Sequence, residues 1–168
     1  MPYAALAKQM RLSHVEVHAA VQRLIAARLV AEHTGTVRPI MAALRAFLIS
    51  GALHVYPPVR GEETIGFPKS YAVPPLSERM QPSRDLPPVW PHPEGTSRGQ
   101  GVLPLYEKLP LAAVDDPKLY ELLALFDALR IGQARERELA KAPGGEAAMI
   151  ADTDNPNLAI LEMAAEPP

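Results

Sequence analysis

From residue 3 to residue 30 apolar and polar positions follow a helical period with one break. In YAALAKQM, Leu6 and Met10 stand four apart on one face, with Ala5 and Ala7 small enough for close helix contact. Arg11-Leu12-Ser13 interrupts the pattern. Ser13 is followed three positions later by Glu16, the pairing of a capping box, so a second helix is expected from His14. Its apolar positions Val17, Val21, Leu24 and Ile25 fall on one stripe. Leu12 stands in the break, where it can plug the joint. Residues 29–33 and 36–38 then flank Thr34-Gly35, the pattern of a short hairpin. Pro39 is expected to open the next helix, at the position where proline is tolerated, and residues 39–55 read as one apolar helix carrying Met41, Leu44, Phe47, Leu48 and Leu53.

The pattern changes at residue 57. Residues 57–110 hold 12 of the 19 prolines and cannot be regular helix. They are not low-complexity either, because Phe67, Tyr71, Leu76, Leu86, Val89, Trp90, Leu105 and Tyr106 are interspersed among them, and disordered linkers lack such anchors. The expectation is an ordered, extended wrap lying over the helices, with Trp90 at least partly buried and residues 74–76 and 87–93 as polyproline II stretches. A second helical zone spans 114–141. Its stripe is Leu119, Leu122, Phe126, Leu129 and Ile131, with Asp127 and Arg130 beside it, Gly132 in mid-helix, and Arg135, Glu136, Arg137 and Glu138 as a charged, self-pairing end. The expected reading is an amphipathic helix with a solvated face, the alternative a partner-docking surface. Asp115 and Asp116 precede it, where the helix dipole favours acids. The tail from Pro143 carries five acids and no base.

Composition narrows the classes. A chain of 168 residues makes one ordinary domain or two small ones. Its apolar share of 48% is rich in Ala and Leu, which favours helices, and only 5% is aromatic, which disfavours a large β-sandwich. The absence of cysteine excludes disulfides, thiolate catalysis and cysteine-held zinc or iron–sulfur clusters. No run of about 18 apolar residues is present, so no membrane span is expected. MPYAALAKQM is neither a signal nor a transit peptide, and a cytoplasmic location is expected. The net charge of -2 is unevenly spread. Residues 1–45 carry Lys8, Arg11, Arg23, Arg28, Arg38 and Arg45 against Glu16 and Glu32, while the remainder is acidic. A basic head on an acidic body suits a protein that presents one face to phosphate.

Catalytic signatures are missing. His14 and His18 are spaced as helical metal ligands can be, but HVEVH puts its Glu in the wrong place for a zinc protease and reads as a surface pair. There is no phosphate-binding glycine loop and no nucleophile elbow. No enzyme activity, cofactor or metal is expected.

Leu6, Ala7, Leu12, Ser13, Val17, Val21, Arg23, Leu24, Leu29 and Val30 together resemble the winged helix-turn-helix of bacterial regulators of the MarR type, over roughly residues 3–38. The resemblance implies a second helix lying in the major groove with its N-terminal half toward the base edges. Its outward positions are then His14, Glu16, His18, Ala19, Gln22 and Arg23. Gln22 can pair with adenine, Arg23 can reach guanine or phosphate, Ser13 with the helix N-terminus can hold a phosphate, and Arg38 stands in the wing. The chain departs from the pattern in starting too late for the helix that normally precedes this pair. Either the native start lies upstream, or another element, such as the helix after Pro39, fills the place or pairs with a second subunit. A further resemblance, carried by GFPKSYAVPPLSE, LPPVWPHPEG and LYELLALFDALRIGQARERELA, is to a poorly characterised group of bacterial winged-helix proteins like those encoded beside toxin–antitoxin or other defence genes. It supplies no catalytic residues.

The expected fold is mainly α: a winged helix-turn-helix lacking its first helix over 1–38, a connecting or dimerisation helix over 39–56, the Pro-rich extended segment over 57–110, a helical region over 111–142 and an acidic tail over 143–168. The expected function is a DNA-binding transcription regulator, a repressor acting as a homodimer on double-stranded DNA. The alternative is a non-enzymatic interaction module, antitoxin-like, whose body covers a protein partner.

Overall fold

The computed structural model describes residues 2–34, 36–80 and 86–141. The acidic tail lies outside the described residues, as does Gly35 of the expected hairpin turn. Over the described residues the chain is mainly α, with seven helices and two small sheets. Helix α1 (Tyr3–Gln9) and helix α2 (His14–Ala26) follow the sequence pattern, with Leu6, Met10, Val17, Val21 and Leu24 wholly buried and Ile25 half-buried. Strands β1 (Val30–His33) and β2 (Thr36–Pro39) pair antiparallel, His33 opposite Thr36, and Thr34 takes the positive φ of 48° that so short a turn requires.

Pro39 does not open a helix. It closes β2 opposite Val30, and α3 (Met41–Ser50) starts two residues later. The apolar run to residue 55 is also broken, because Gly51 separates α3 from α4 (Ala52–Val55). The Phe47 ring packs where a side chain at Gly51 would stand, 2.9 Å from the position of a Cβ.

The Pro-rich zone is ordered, but it is a small closed sheet rather than a polyproline wrap. Strand β3 (Arg60–Pro68) runs antiparallel to both β4 (Pro88–Pro91) and β5 (Ser97–Val102), and β4 and β5 pair in parallel to close the barrel. Residues 87–93 therefore contain a strand, while residues 74–79 form turns. Prolines are compatible because Pro88 and Pro91 stand at the two ends of β4, where the ladder least needs an N–H. A three-stranded closure is very tight, and glycine permits it: a Cβ on Gly66 would lie 2.1 Å from the Trp90 carbonyl oxygen, and one on Gly99 would lie 2.0 Å from that of Pro87. Trp90 is 1% exposed, so the zone's single tryptophan is a core residue.

The expected second helical zone is three helices, α5 (Leu109–Asp115), α6 (Pro117–Ile131) and α7 (Ala134–Lys141). Asp116 caps α6, its carboxylate accepting from the backbone N–H groups of Lys118 and Leu119 at 3.1 Å each. Gly132 is not in mid-helix but ends α6 in an extended conformation (φ -64°, ψ 151°). Nor does α6 keep a solvated face beyond its first turn, where Lys118 and Glu121 are exposed. Every residue from Leu122 to Arg130 is buried, as a helix at the centre of a molecule must be.

One apolar cluster joins the N-terminal helices to α5 and α6, including Leu6, Met10, Leu24, Leu109, Leu119 and Phe126. The place expected to be empty beside α1 is thus filled from far along the chain. The Tyr106 hydroxyl donates to the Met10 carbonyl at 3.0 Å, and Gln9 donates to Asp116 at 2.6 Å. Leu6 and Met10 need no second subunit to cover them. The barrel is fixed to α6 by charge. Lys69, just after β3, sits 2.6 Å from Asp127, whose other oxygen accepts from Arg130 at 2.8 Å. Tyr120 of α6 donates its hydroxyl to the Pro68 carbonyl, and its ring lies 5.7 Å from that of Trp90.

Candidate functional site

The α1–α2 joint is built by two local devices. Arg11 takes a positive φ of 53°, so the Leu12 N–H reaches the Ala7 carbonyl (3.0 Å) and the Arg11 N–H that of Lys8 (3.3 Å), which closes α1. Leu12 is thereby tucked, half-buried, against the core cluster. The capping box then opens α2 as expected. The Glu16 N–H donates to Ser13 Oγ at 3.2 Å, and the Ser13 N–H donates to the Glu16 carboxylate at 2.6 Å. Hydrogen bonding from Ser13 holds the Glu16 carboxyl below its ordinary range. The end of α2 repeats the first device, with Arg28 at φ 57° and the Leu29 N–H on the Leu24 carbonyl.

These bonds alter the roles expected of the helix start. Ser13 is exposed, but its hydroxyl and N–H are both engaged by Glu16. The Glu16 carboxylate occupies the spot where a phosphate would otherwise meet the helix dipole.

The remaining positions divide into two flanks and a ridge. On the flank toward α1, His18 stacks on the Tyr3 ring at 5.8 Å, and the Gln22 side chain hydrogen-bonds the Tyr3 hydroxyl, which itself donates to Glu32 at 3.1 Å. Burial, then Glu32, raises the Tyr3 phenol above its usual range. On the opposite flank Glu16, Ala19 and Arg23 meet Leu105 and Tyr106 across a cleft of about 560 Å³ that Leu12 and Val15 also line. Burial pushes the Tyr106 phenol well above its usual range, with the Glu16 charge adding to the effect. Between the flanks runs a ridge of Val15 and Ala26, bordered by Gln22 on the α1 side, with Val15 78% exposed. His14 is exposed, and Arg38 is exposed on β2, a separate element. The fold therefore gathers Ala19 with Arg23 and His18 with Gln22, and leaves His14 and Arg38 outside both groups.

Val15, Leu105 and Tyr106 were not among the expected site residues. Val15 had a legible signal, since it is an apolar residue off the buried stripe. The other two lie too far along the chain for periodicity to place them. The basic head is also partly neutralised. Arg11 forms an ion pair with Asp115 at 2.5 Å, so the acidic body supplies a counter-charge directly beside α1.

Among the described residues no group of three or more His, Asp or Glu side chains is placed to hold a metal ion, and no helix is long and apolar enough to cross a membrane. No family model, curated protein or solved structure matches this chain.

Proposed function

We propose that this chain is a DNA-binding transcription regulator that reads the major groove with α2. The observation that carries the reading is the order of parts: a short helix, a plugged joint, a box-capped helix with a solvent-facing ridge, then a two-stranded hairpin bearing an exposed arginine. That order resembles the helix-turn-helix and wing of a winged helix-turn-helix, without the helix that normally precedes them. In this reading Val15 and Ala19 meet thymine methyl groups, and Gln22 exchanges its bond to Tyr3 for an adenine edge. Arg23 reaches guanine or phosphate. Lys8, Arg28 and Arg38 contact phosphates, so binding weakens as salt rises. Two copies set the recognition helices about 34 Å apart on a palindromic operator, and act as a repressor there.

Gel-shift titration on the DNA upstream of the chain's own coding sequence tests this. Replacing Gln22 and Arg23 with Ala is expected to cost about 1–3 kcal/mol for each base that is no longer read. Undiminished binding by a folded double variant removes α2 as the reader.

A second reading, an antitoxin-like module that binds a protein, is favoured by one feature. Val15 faces Leu105 and Tyr106 across the cleft, an apolar rim where a DNA reader would carry polar groups.

A further inference from the structure

Away from α2, a second cleft of about 360 Å³ lies between the barrel and the joint of α6 with α7. That volume suits a small organic molecule. Val102 and Pro88 line it from the barrel, Ile131 and Gly132 from the joint, and Leu86 from the loop before β4. Glu136, in the first turn of α7, belongs to the same lining. It is only 8% exposed, and its Oε2 is buried without a hydrogen-bond partner. No ion pair to it is found among the described residues. A buried carboxyl oxygen without a hydrogen-bond partner is unfavourable, so it marks a place where a donor or cation is missing.

The local backbone explains why Glu136 points inward. Gly132 has no side chain, and a Cβ there would lie 2.9 Å from the Glu136 Cβ and 2.3 Å from the Ala128 carbonyl oxygen. The glycine thus lets α7 turn back tightly enough to carry Glu136 into the cleft. The one basic residue in the lining is not paired with it among the described contacts. Arg60 is exposed, and its guanidinium donates to the Ile131 carbonyl at 3.3 Å. Gln100 has its amide donor on the Gly61 carbonyl, which leaves its own carbonyl oxygen as an acceptor in the lining. Tyr71 and Gln133 complete a lining that is mixed polar and apolar, in which Glu136 is the one carboxylate.

We propose that this cleft binds a small aliphatic ammonium compound, with the ammonium on Glu136 and the hydrocarbon body against Val102, Ile131 and Leu86. The carboxylate supplies the counter-charge, and Val102, Ile131 and Leu86 take up a short branched or linear chain. Arg60 at the rim disfavours a ligand with a second positive charge. The proposal concerns the cleft alone and stands apart from what α2 binds.

The test uses the full chain and isopentylammonium as the probe, followed by ligand-observed NMR and by the methyl resonances of Val102, Ile131 and Leu86. Saturable binding is expected, with shifts confined to those methyls. Glu136→Gln keeps the shape and removes the charge, and is expected to weaken binding by roughly ten- to hundredfold, the worth of a charge-assisted hydrogen bond. Leu86→Trp fills the mouth from an exposed position and is expected to weaken it as well, which keeps the question decidable if Glu136→Gln does not fold. The anion 4-methylpentanoate, of the same carbon skeleton, is expected not to bind. The proposal is overturned if the native chain leaves isopentylammonium unbound up to about 50 mM, a generous limit for so few heavy atoms. It is equally overturned if a folded Glu136→Gln binds undiminished, or if 4-methylpentanoate binds as well as the amine.

Discussion

The Lys69 ammonium rests 2.6 Å from the Asp127 carboxylate, with Lys69 0% and Asp127 2% exposed. The two are in direct ionic contact, and the same ammonium lies 5.1 Å over the Trp90 ring. Arg130 takes the other carboxylate oxygen and also donates to the Tyr56 carbonyl at 2.8 Å. Two buried cations thus share one anion. Removing Asp127 leaves both uncompensated, whereas removing Lys69 leaves an intact Arg130–Asp127 pair. Asp127→Ala is expected to cost about 3–5 kcal/mol of stability, the usual penalty for breaking a buried ion pair. Lys69→Met is expected to cost distinctly less. Urea denaturation of the two variants gives the ranking, and equal losses would mean that Asp127 is not the shared anion.

The same lysine makes stability depend on pH in an unusual direction. Burial lowers Lys69 from 10.5 to about 8, against the pull of Asp127 and with Arg130 adding to the lowering. Between those two values the unfolded chain holds a proton that the folded chain has released. Stability contributed by this group therefore rises with pH across the window, and its penalty is fully present below about 8. Tyr120, raised to about 12 by burial, works oppositely above pH 10, so the comparison belongs below that point. From pH 7 to about 9.5 the native chain is expected to gain stability relative to Lys69→Met. A flat difference between the two would show that Lys69 titrates as it does in the unfolded chain.

Local signals in the sequence located the N-terminal elements and failed where long-range contacts decide. Ser13 and Glu16 announce α2 because a capping box is complete within four residues. Val17, Val21 and Leu24 announce its buried face because helical period is also local. The barrel was hidden because its strands are held by closure across distant segments, and because prolines outweigh Val89 and Trp90 in any local reading. Gly132 was expected in mid-helix, since nothing nearby in sequence reveals that α7 turns back there. Asp127 and Arg130 looked like the edge of a solvated face, because the partner that draws them inward is Lys69. For the α2 site, the helix was legible, and the neighbours on its flanks, Tyr3, Glu32, Leu105 and Tyr106, were not.

The barrel depends on close backbone approach at Gly99. A Cβ there would lie 2.0 Å from the Pro87 carbonyl oxygen and 2.8 Å from a Val89 methyl, so the parallel pairing of β4 with β5 has no room for it. Gly99→Ala is expected to destabilise by about 1–3 kcal/mol, the usual cost of overpacking, or more if closure is lost. Trp90 reports the outcome directly, because it is 1% exposed and the only tryptophan. A red shift of its emission under native conditions is expected in the variant. Unchanged emission and unchanged stability together would mean the strands do not meet as closely as described.

Val15 separates the two readings of α2. It is 78% exposed, so a substitution there leaves the core untouched and reports on what the ridge meets. Val15→Lys adds one positive charge at the centre of the ridge, beside Ala19 and in line with Gln22. If the ridge enters DNA, the new ammonium finds phosphate, and overall affinity for DNA at low salt is expected to rise. The plot of log affinity against log salt should then steepen by about 0.9, the yield of one added phosphate contact. Discrimination between operator and unrelated DNA falls at the same time, because the Val15 methyls no longer meet a base. If the ridge and the cleft beside Leu105 receive an apolar protein segment instead, burying a lysine there is costly, and partner binding is lost while the weak affinity for DNA gains no specificity. Salt-dependent gel shifts on operator and scrambled DNA, with native chain and variant side by side, read both effects. A native chain that never prefers its own upstream DNA, together with a variant that gains only non-specific binding, removes the regulator reading and leaves the protein-binding one.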